Sequence, residues 1–178
     1  MTITIEPLTL IKLSRGDDRL LHEVWQIRTA CAHDLHHRFG DGHWAKVSPL
    51  APLRRVVREK HVYAVRWGGE TVATFSLSQV GPYYLTPDLF DEPTARAAYL
   101  TALAVRPRQQ HHGAGRWCMS QAEALARSWG CRSLRFDAYD HPAGAWAFYD
   151  RGGYARCGVV NVYGVRLIAY ERVLMPAA

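Results

Sequence analysis

The chain has 178 residues, 48% of them hydrophobic and 21% charged, and its 22 lysines and arginines against 16 aspartates and glutamates leave a formal charge of +6. A chain of this size buries roughly 70% of the surface its unfolded form exposes, enough for one globular domain without disulfides or a structural metal. Disorder and a collagen repeat are excluded by that composition; the apolar runs fall short of the roughly 18 residues a spanning helix needs, and Met1 to Leu13 lacks a signal peptide's pattern, so a cytoplasmic location is expected.

Thr9 to Leu13 reads as a short strand, and Asp17 and Asp18 offer a cap for a helix over Leu20 to Phe39. Gly40, Gly42 and Pro49 interrupt the pattern before a short basic helix, Pro52 to Glu59. His61 to Trp67 and Thr71 to Ser78 form a hairpin about Gly68-Gly69-Glu70. Gly81 to Thr94 holds three prolines and several acidic residues and is a loop. Tyr99 to Val105 is mostly apolar, as a strand buried on both faces would be. Gly115 to Trp129 turns helical, with Cys118, Ala122, Leu125 and Trp129 on one face and Gly130 as its stop. Ser133 to Tyr139 alternates, setting Leu134, Phe136 and Ala138 against Arg135, Asp137 and Tyr139. Pro142 suits the first turn of a short helix through Tyr149, Gly152-Gly153 ends it, and two strands flank Gly164, the second over Val165 to Leu174. No repeat or linker intervenes, so the order of elements gives a single α/β domain with a mixed sheet.

The positive charge is almost all guanidinium, since the only lysines are Lys12, Lys46 and Lys60, and such a balance invites an anionic partner. Cys31, Cys118, Cys131 and Cys157 show no paired spacing and read as reduced, mostly buried thiols.

The chemistry concentrates in Leu103 to Trp117, LAVRPRQQHHGAGRW, where a strand passes through an arginine and glycine loop into an amphipathic helix. Gly113 and Gly115 allow close backbone approach, and the first helical turn leaves N–H groups unpaired at the positive end of its dipole, which suits a phosphate. Arg106, Arg108 and Arg116 surround the loop and could add charge-assisted contacts. A P-loop needs Lys and Ser or Thr where Arg116 and Trp117 stand, and a dinucleotide fingerprint needs glycine where Cys118 stands. Both fail.

The motif that remains is Q-x-x-G-x-G, here Gln110-His111-His112-Gly113-Ala114-Gly115, preceded by Val105-Arg106-Pro107. It resembles the acyl-CoA pyrophosphate loop of the GNAT N-acetyltransferases. Their next segment, Asn-x-x-Ala-x-x-x-Tyr followed by Gly-Phe, is matched by Ala145 to Tyr149 and Gly153-Tyr154, with Pro142 in place of the asparagine and His141 as its nearest substitute. The resemblance covers Tyr99 to Val159, and residues 1–60 carry no motif.

It implies a mixed, mostly antiparallel sheet flanked by helices, of the acyl-CoA N-acyltransferase type, as one domain over 1–178 with a motif-bearing core at about 60–175. It also implies acetyl-CoA as co-substrate without a metal, and a small-molecule or peptide amine as acceptor, without nucleic acid or membrane. Homodimers are frequent in such families. Leu103, Ala104 and Val105 would pair with the pantetheine arm, backbone N–H groups from Gln110 to Arg116 (His111, His112, Gly113, Ala114 and Gly115 included) would hold the pyrophosphate, and a strand N–H near Leu103 would stabilise the oxyanion. Tyr149 matches the family's general acid. The position of the family's frequent basic glutamate is Tyr99, so deprotonation falls to a water chain with Thr101, Asp88, Asp91, Glu92 and His33 as candidates. His33, His37, Trp44, Tyr83 and Tyr84 are candidates for the acceptor pocket.

Two other readings rest on local patterns. His33-Asp34-Leu35-His36-His37 approaches the H-E-x-x-H of zinc hydrolases, without a recognisable third ligand. Arg54, Arg55, Arg58 and Lys60 form a basic patch of the kind that binds nucleic acid, without a recognition signature beside it.

Overall fold

The computed structural model describes residues 7–175. Its elements follow the expected order: β1 (Thr9–Lys12), α1 (Asp18–Phe39), α2 (Leu50–Glu59), β2 (His61–Trp67), β3 (Glu70–Ser78), β4 (Ala97–Val105), α3 (Ala114–Ser128), β5 (Ser133–Tyr139), α4 (Trp146–Arg151), β6 (Ala155–Val162) and β7 (Val165–Val173). The seven strands form one sheet in the order β1-β2-β3-β4-β5-β7-β6. Every pairing is antiparallel except β4 with β5.

Strand alternation sorts the core onto two faces. On one, Val62 and Ala64 of β2 pack with Leu20, Leu21 and Val24 of α1 and Leu53 of α2. On the other, Tyr63, Phe75, Leu77, Leu134 and Phe136 pack with Cys118, Met119, Ala122 and Ala126 of α3 and Tyr149 of α4. Asp17 caps α1 by accepting from the Leu20 N–H at 3.0 Å. Gly68 and Gly69, both at positive φ, make the β2–β3 turn. All four cysteines are free thiols; Cys118 and Cys131 are buried, Cys31 and Cys157 half-buried.

Three expectations change. Helix α2 starts at Leu50, which leaves Pro52 in the first turn, where its missing N–H costs nothing. Helix α4 starts at Trp146 rather than Pro142, because residues 141–145 make a separate turn: the Ala143 N–H donates to His141 Nδ1 (3.1 Å), and Gly144 passes so close to β5 that a Cβ there would meet the Tyr139 carbonyl oxygen at 2.0 Å. Strand β4 begins at Ala97 and is buried only through its first half, since Ala102 is exposed and Leu103 to Val105 are half-buried.

One buried ion pair ties the sheet to the loop before β4. Arg135 and Glu171, 1% and 4% exposed, face each other across β5 and β7, with Arg135 Nε donating to Glu171 Oε1 at 2.8 Å. The same guanidinium donates to the Glu92 carbonyl at 2.6 Å and lies 4.1 Å over the Phe90 ring, so it clamps residues 90–92 onto the sheet. Arg135→Leu leaves the Glu171 carboxylate buried without a partner, and urea denaturation is expected to show a loss of about 3–5 kcal/mol, largely recovered when Glu171→Leu is added. A single-variant loss under about 1 kcal/mol would contradict the clamp.

Candidate active site

Strand β4 pairs with β5 only where Ala97–Tyr99 meets Ser133–Arg135. Beyond that point β5 continues to Tyr139 against β7, while β4 continues to Val105 against β3, and the two strands part. A bulge accompanies the parting. Ser76 pairs with Thr101 and Thr74 with Ala104, so Ala102 and Leu103 together oppose Phe75, and Ala102 takes φ +54°. Bulges bend and twist a strand, and a left-handed alanine costs roughly 1–2 kcal/mol. From Leu100 to Ala104 one edge of β4 therefore faces the cleft between the parting strands rather than a neighbouring strand.

The loop at the mouth of this cleft is held from below. The Val105 carbonyl accepts from Gln110 Nε2 at 3.0 Å and from Cys31 Sγ of α1 at 3.2 Å. His111 and Gly113 have φ of +66° and +90°, left-handed conformations of the kind that recur in backbone anion nests. Gly113 is the N-cap of α3 and supplies no side-chain acceptor; a Cβ built on it meets nothing within 4 Å, so φ and not space requires glycine there. The first intrahelical bond here runs from Trp117 N–H to the Gly113 carbonyl at 3.0 Å, leaving the N–H groups of Ala114, Gly115 and Arg116 for a ligand. Arg108, Arg116, His111 and His112 are exposed around the loop. Arg106 does not join them, because its guanidinium donates to the Thr71 carbonyl at 3.3 Å.

Tyr149 lies on α4, buried among Phe136, Phe148, Tyr170 and Tyr154 with ring separations of 4.5 to 5.9 Å. Phe148 beside it reaches Gly115 in the first turn of α3, which joins α4 to the loop. Burial, reinforced by the negative charge of Asp137, raises the Tyr149 phenol well above its ordinary value, so it stays protonated across the neutral range.

Asp137 is the residue that sequence reasoning missed. It stands on β5 where the strands part, and its Oδ2 accepts from Tyr84 OH at 3.2 Å. Burial raises its carboxyl, against the opposing pull of Tyr84 and Lys60. Lys60, placed by sequence in a surface patch, ends α2 in an extended conformation and donates to Thr101 Oγ1 at 3.4 Å. The rest of that patch is partly neutralised: Arg54 pairs with Asp18, and Arg55 with Glu59 at 2.6 Å.

Of the water-chain candidates, Thr101 lies on β4 beside the cleft, whereas Asp88, Asp91, Glu92 and His33 are exposed. Tyr99 packs under Gly81 in a cluster with Leu85 and Phe90. Of the acceptor-pocket candidates, Tyr84 reaches Asp137, and Trp44 stacks on His141 at 4.1 Å and meets the Tyr139 ring edge at 6.0 Å. Tyr83 is 70% exposed, and His33 and His37 lie on the outer surface of α1. Among the described residues no group of three or more His, Cys, Asp or Glu side chains could hold a metal ion. No helix among them is long and apolar enough to cross a membrane.

The sequence profile of the Acetyltransferase (GNAT) family matches residues 21–154, from within α1 to just past α4. No curated protein matches the sequence. The fold is similar to that of the ribosomal-protein-S18-alanine N-acetyltransferase from Escherichia coli, with a TM-score of 0.68 and 17% identity over 97% of each chain. It is similar to aminoglycoside 6'-acetyltransferase type Ii, with a TM-score of 0.68 and 15% identity over 96% of this chain and 99% of that one. It also matches yncA from Salmonella typhimurium, solved with its cofactor acetyl-CoA, with a TM-score of 0.64 and 14% identity over 97% of this chain and 96% of that one. At these identities the likeness is one of fold. The profile spans most of the chain and takes in the cleft, the glycine loop and Tyr149, and on that ground the chain belongs to the GNAT acetyltransferase family and is an N-acetyltransferase.

Proposed function

We propose that this protein transfers the acetyl group of acetyl-CoA to a primary amine of a small molecule or peptide by direct attack, in one catalytic domain spanning 1–178 with its motif-bearing core at about 60–175. The observation that carries the reading is the meeting of an unpaired strand edge, β4 beyond Tyr99, with an uncapped loop-to-helix junction at Gly113. One end suits an amide-bearing arm and the other a pyrophosphate, and coenzyme A joins those two groups in one molecule.

In this reading Leu103, Ala104 and Val105 pair with the pantetheine arm as an added strand. The N–H groups of Gln110 to Arg116 hold the pyrophosphate, with Arg108 and Arg116 supplying charge. A strand N–H near Leu103 faces the carbonyl oxygen as charge develops on it during attack. An amine of pKa ~10.4 is protonated over its free form by a few thousand to one at neutral pH, so a base must take its proton. Asp137 is that base. Its burial moves the carboxyl toward neutrality, the direction a base needs, and Tyr84 and Thr101 order the proton's path. Tyr149, kept protonated, gives its proton to the departing thiolate.

Thiol release from acetyl-CoA, followed across amino acids, aminoglycosides, polyamines and peptide N-termini, tests this directly. At least one class is expected to accelerate release, and Tyr149→Phe to lower kcat for it about a hundredfold while the protein stays folded. No acceleration by any amine would sink the reading, and full activity in the phenylalanine variant would remove the acid.

Asp137→Asn separates function from stability. Folding raises this carboxyl's pKa, so its contribution to stability is full below the ordinary aspartate value and is lost as pH rises through the raised one. The variant is therefore expected to melt higher than the unmodified protein at pH 7, to lose that advantage below about pH 4, and to lose acetyl transfer at neutral pH. A variant that melts lower at pH 7, or that transfers acetyl normally, contradicts the assignment.

A further inference from the structure

Beside Asp137, on the sheet face covered by α1 and α2, two cations converge. Arg28 of α1 donates from Nη2 to Ser76 Oγ at 3.2 Å, and Lys60 donates to Thr101 Oγ1 at 3.4 Å. Ser76 and Thr101 are register partners on β3 and β4, and directly opposed residues stand about 5 Å apart at Cβ, so the two positive groups approach one spot. Among the described residues neither forms a direct ion pair. Glu59 and Asp137 act on Lys60 through space, but Glu59 is bound by Arg55 at 2.6 Å and Asp137 by Tyr84 at 3.2 Å. Burial lowers Arg28 to about 10, where it remains charged at neutral pH.

The contrast with Arg135 is informative. Where the fold buries that guanidinium, it supplies the carboxylate of Glu171 at 2.8 Å. At Arg28 it supplies one hydroxyl and leaves Nε buried with no hydrogen-bond partner among the described residues. The unpaired Nε–H and the unmatched positive charge are both answered by one carboxylate, whose two oxygens match the guanidinium fork.

We infer that the acceptor is a small zwitterion, a primary amine carrying a carboxylate a short carbon chain away, with Arg28 and Lys60 holding the carboxylate while the amine reaches Asp137. The inference rests on the acetyl-transfer reading and names its substrate class. Thr101 and Leu103 are two residues apart on β4, at most about 7 Å along a strand, so only a few bonds separate the two groups. Arg28 is thus a specificity residue. Amino sugars and polyamines offer it no carboxylate.

The test measures melting temperature with coenzyme A present, adding N-acetylglycine, N-acetyl-β-alanine or N-acetyl-γ-aminobutyrate as product analogues, each beside its carboxamide. At least one acid is expected to raise the melting temperature by roughly 3–5 °C at ten times its Kd and to bind about tenfold more tightly than its carboxamide. Arg28→Met is expected to abolish that preference and Arg28→Lys to retain part of it. Equal binding of acid and carboxamide, no shift with any acid, or an intact preference in Arg28→Met overturns the inference. If Arg28→Met fails to fold, the comparison in the unmodified protein decides the matter alone. Coenzyme A itself failing to raise the melting temperature overturns the acetyl-transfer reading and this inference with it; a coenzyme A shift without acid preference overturns this inference only.

Discussion

The parting of β4 from β5 after Tyr99 is the constraint on which the rest of the site depends. Two adjacent parallel strands would normally satisfy each other along their length, and the sheet would have a closed centre. Here β5 keeps its pairing with β7, β4 keeps its pairing with β3, and the bulge at Ala102 and Leu103 turns β4 away. The chain gives up strand hydrogen bonds in the middle of its sheet and accepts a left-handed alanine there. Such a cost persists where surrounding structure over-determines the conformation, and three elements do so. Ala97 to Tyr99 are locked to β5, the Val105 carbonyl is held by Cys31 and Gln110, and the Arg106 N–H continues the ladder to Val72 at 2.8 Å.

In the proposed reading the opening also divides the chemistry. Toward α3 lie the glycine loop, Arg108, Arg116 and, on α4, Tyr149, which suit an anionic carrier and its leaving group. Toward α1 and α2 lie Asp137, Tyr84, Lys60, Thr101 and Arg28, which suit a proton to be removed and a charge to be recognised. Part of the chain's +6 charge lies in surface pairs such as Arg54 with Asp18 and Arg166 with Asp140 at 2.8 Å, and part, among the described residues, stands without an ion-pair partner on either side of the cleft.

Much of this was legible in the sequence, and the misses share a cause. Element order followed from periodicity and punctuation, and the Gln110 to Gly115 spacing marked the loop-to-helix junction, because a glycine at φ +90° and a helix start leave a local signature. Tertiary facts leave none. The apolar run over Tyr99 to Val105 reads the same whether a neighbouring strand stays or departs, so burial on both faces was expected throughout and holds only for its first half. Asp137 was visible as a polar residue on an alternating strand, yet its burial depends on Tyr84 coming over it from the loop before β4. Adjacency places Lys60 with Arg54, Arg55 and Arg58, whereas α2 ends one residue earlier and Lys60 reaches Thr101 instead. The late start of α4 depends on the approach of Gly144 to the Tyr139 carbonyl, a contact between segments rather than a local preference.

The central claim is that one ligand joins the open edge of β4 to the N-terminus of α3. Amide hydrogen exchange read residue by residue, with and without acetyl-CoA, tests it most directly. The account expects acetyl-CoA to slow exchange in two segments together, Leu103 to Val105 and Gln110 to Arg116, with little change on β6 and β7. Protection of neither segment, or of one without the other, would contradict it.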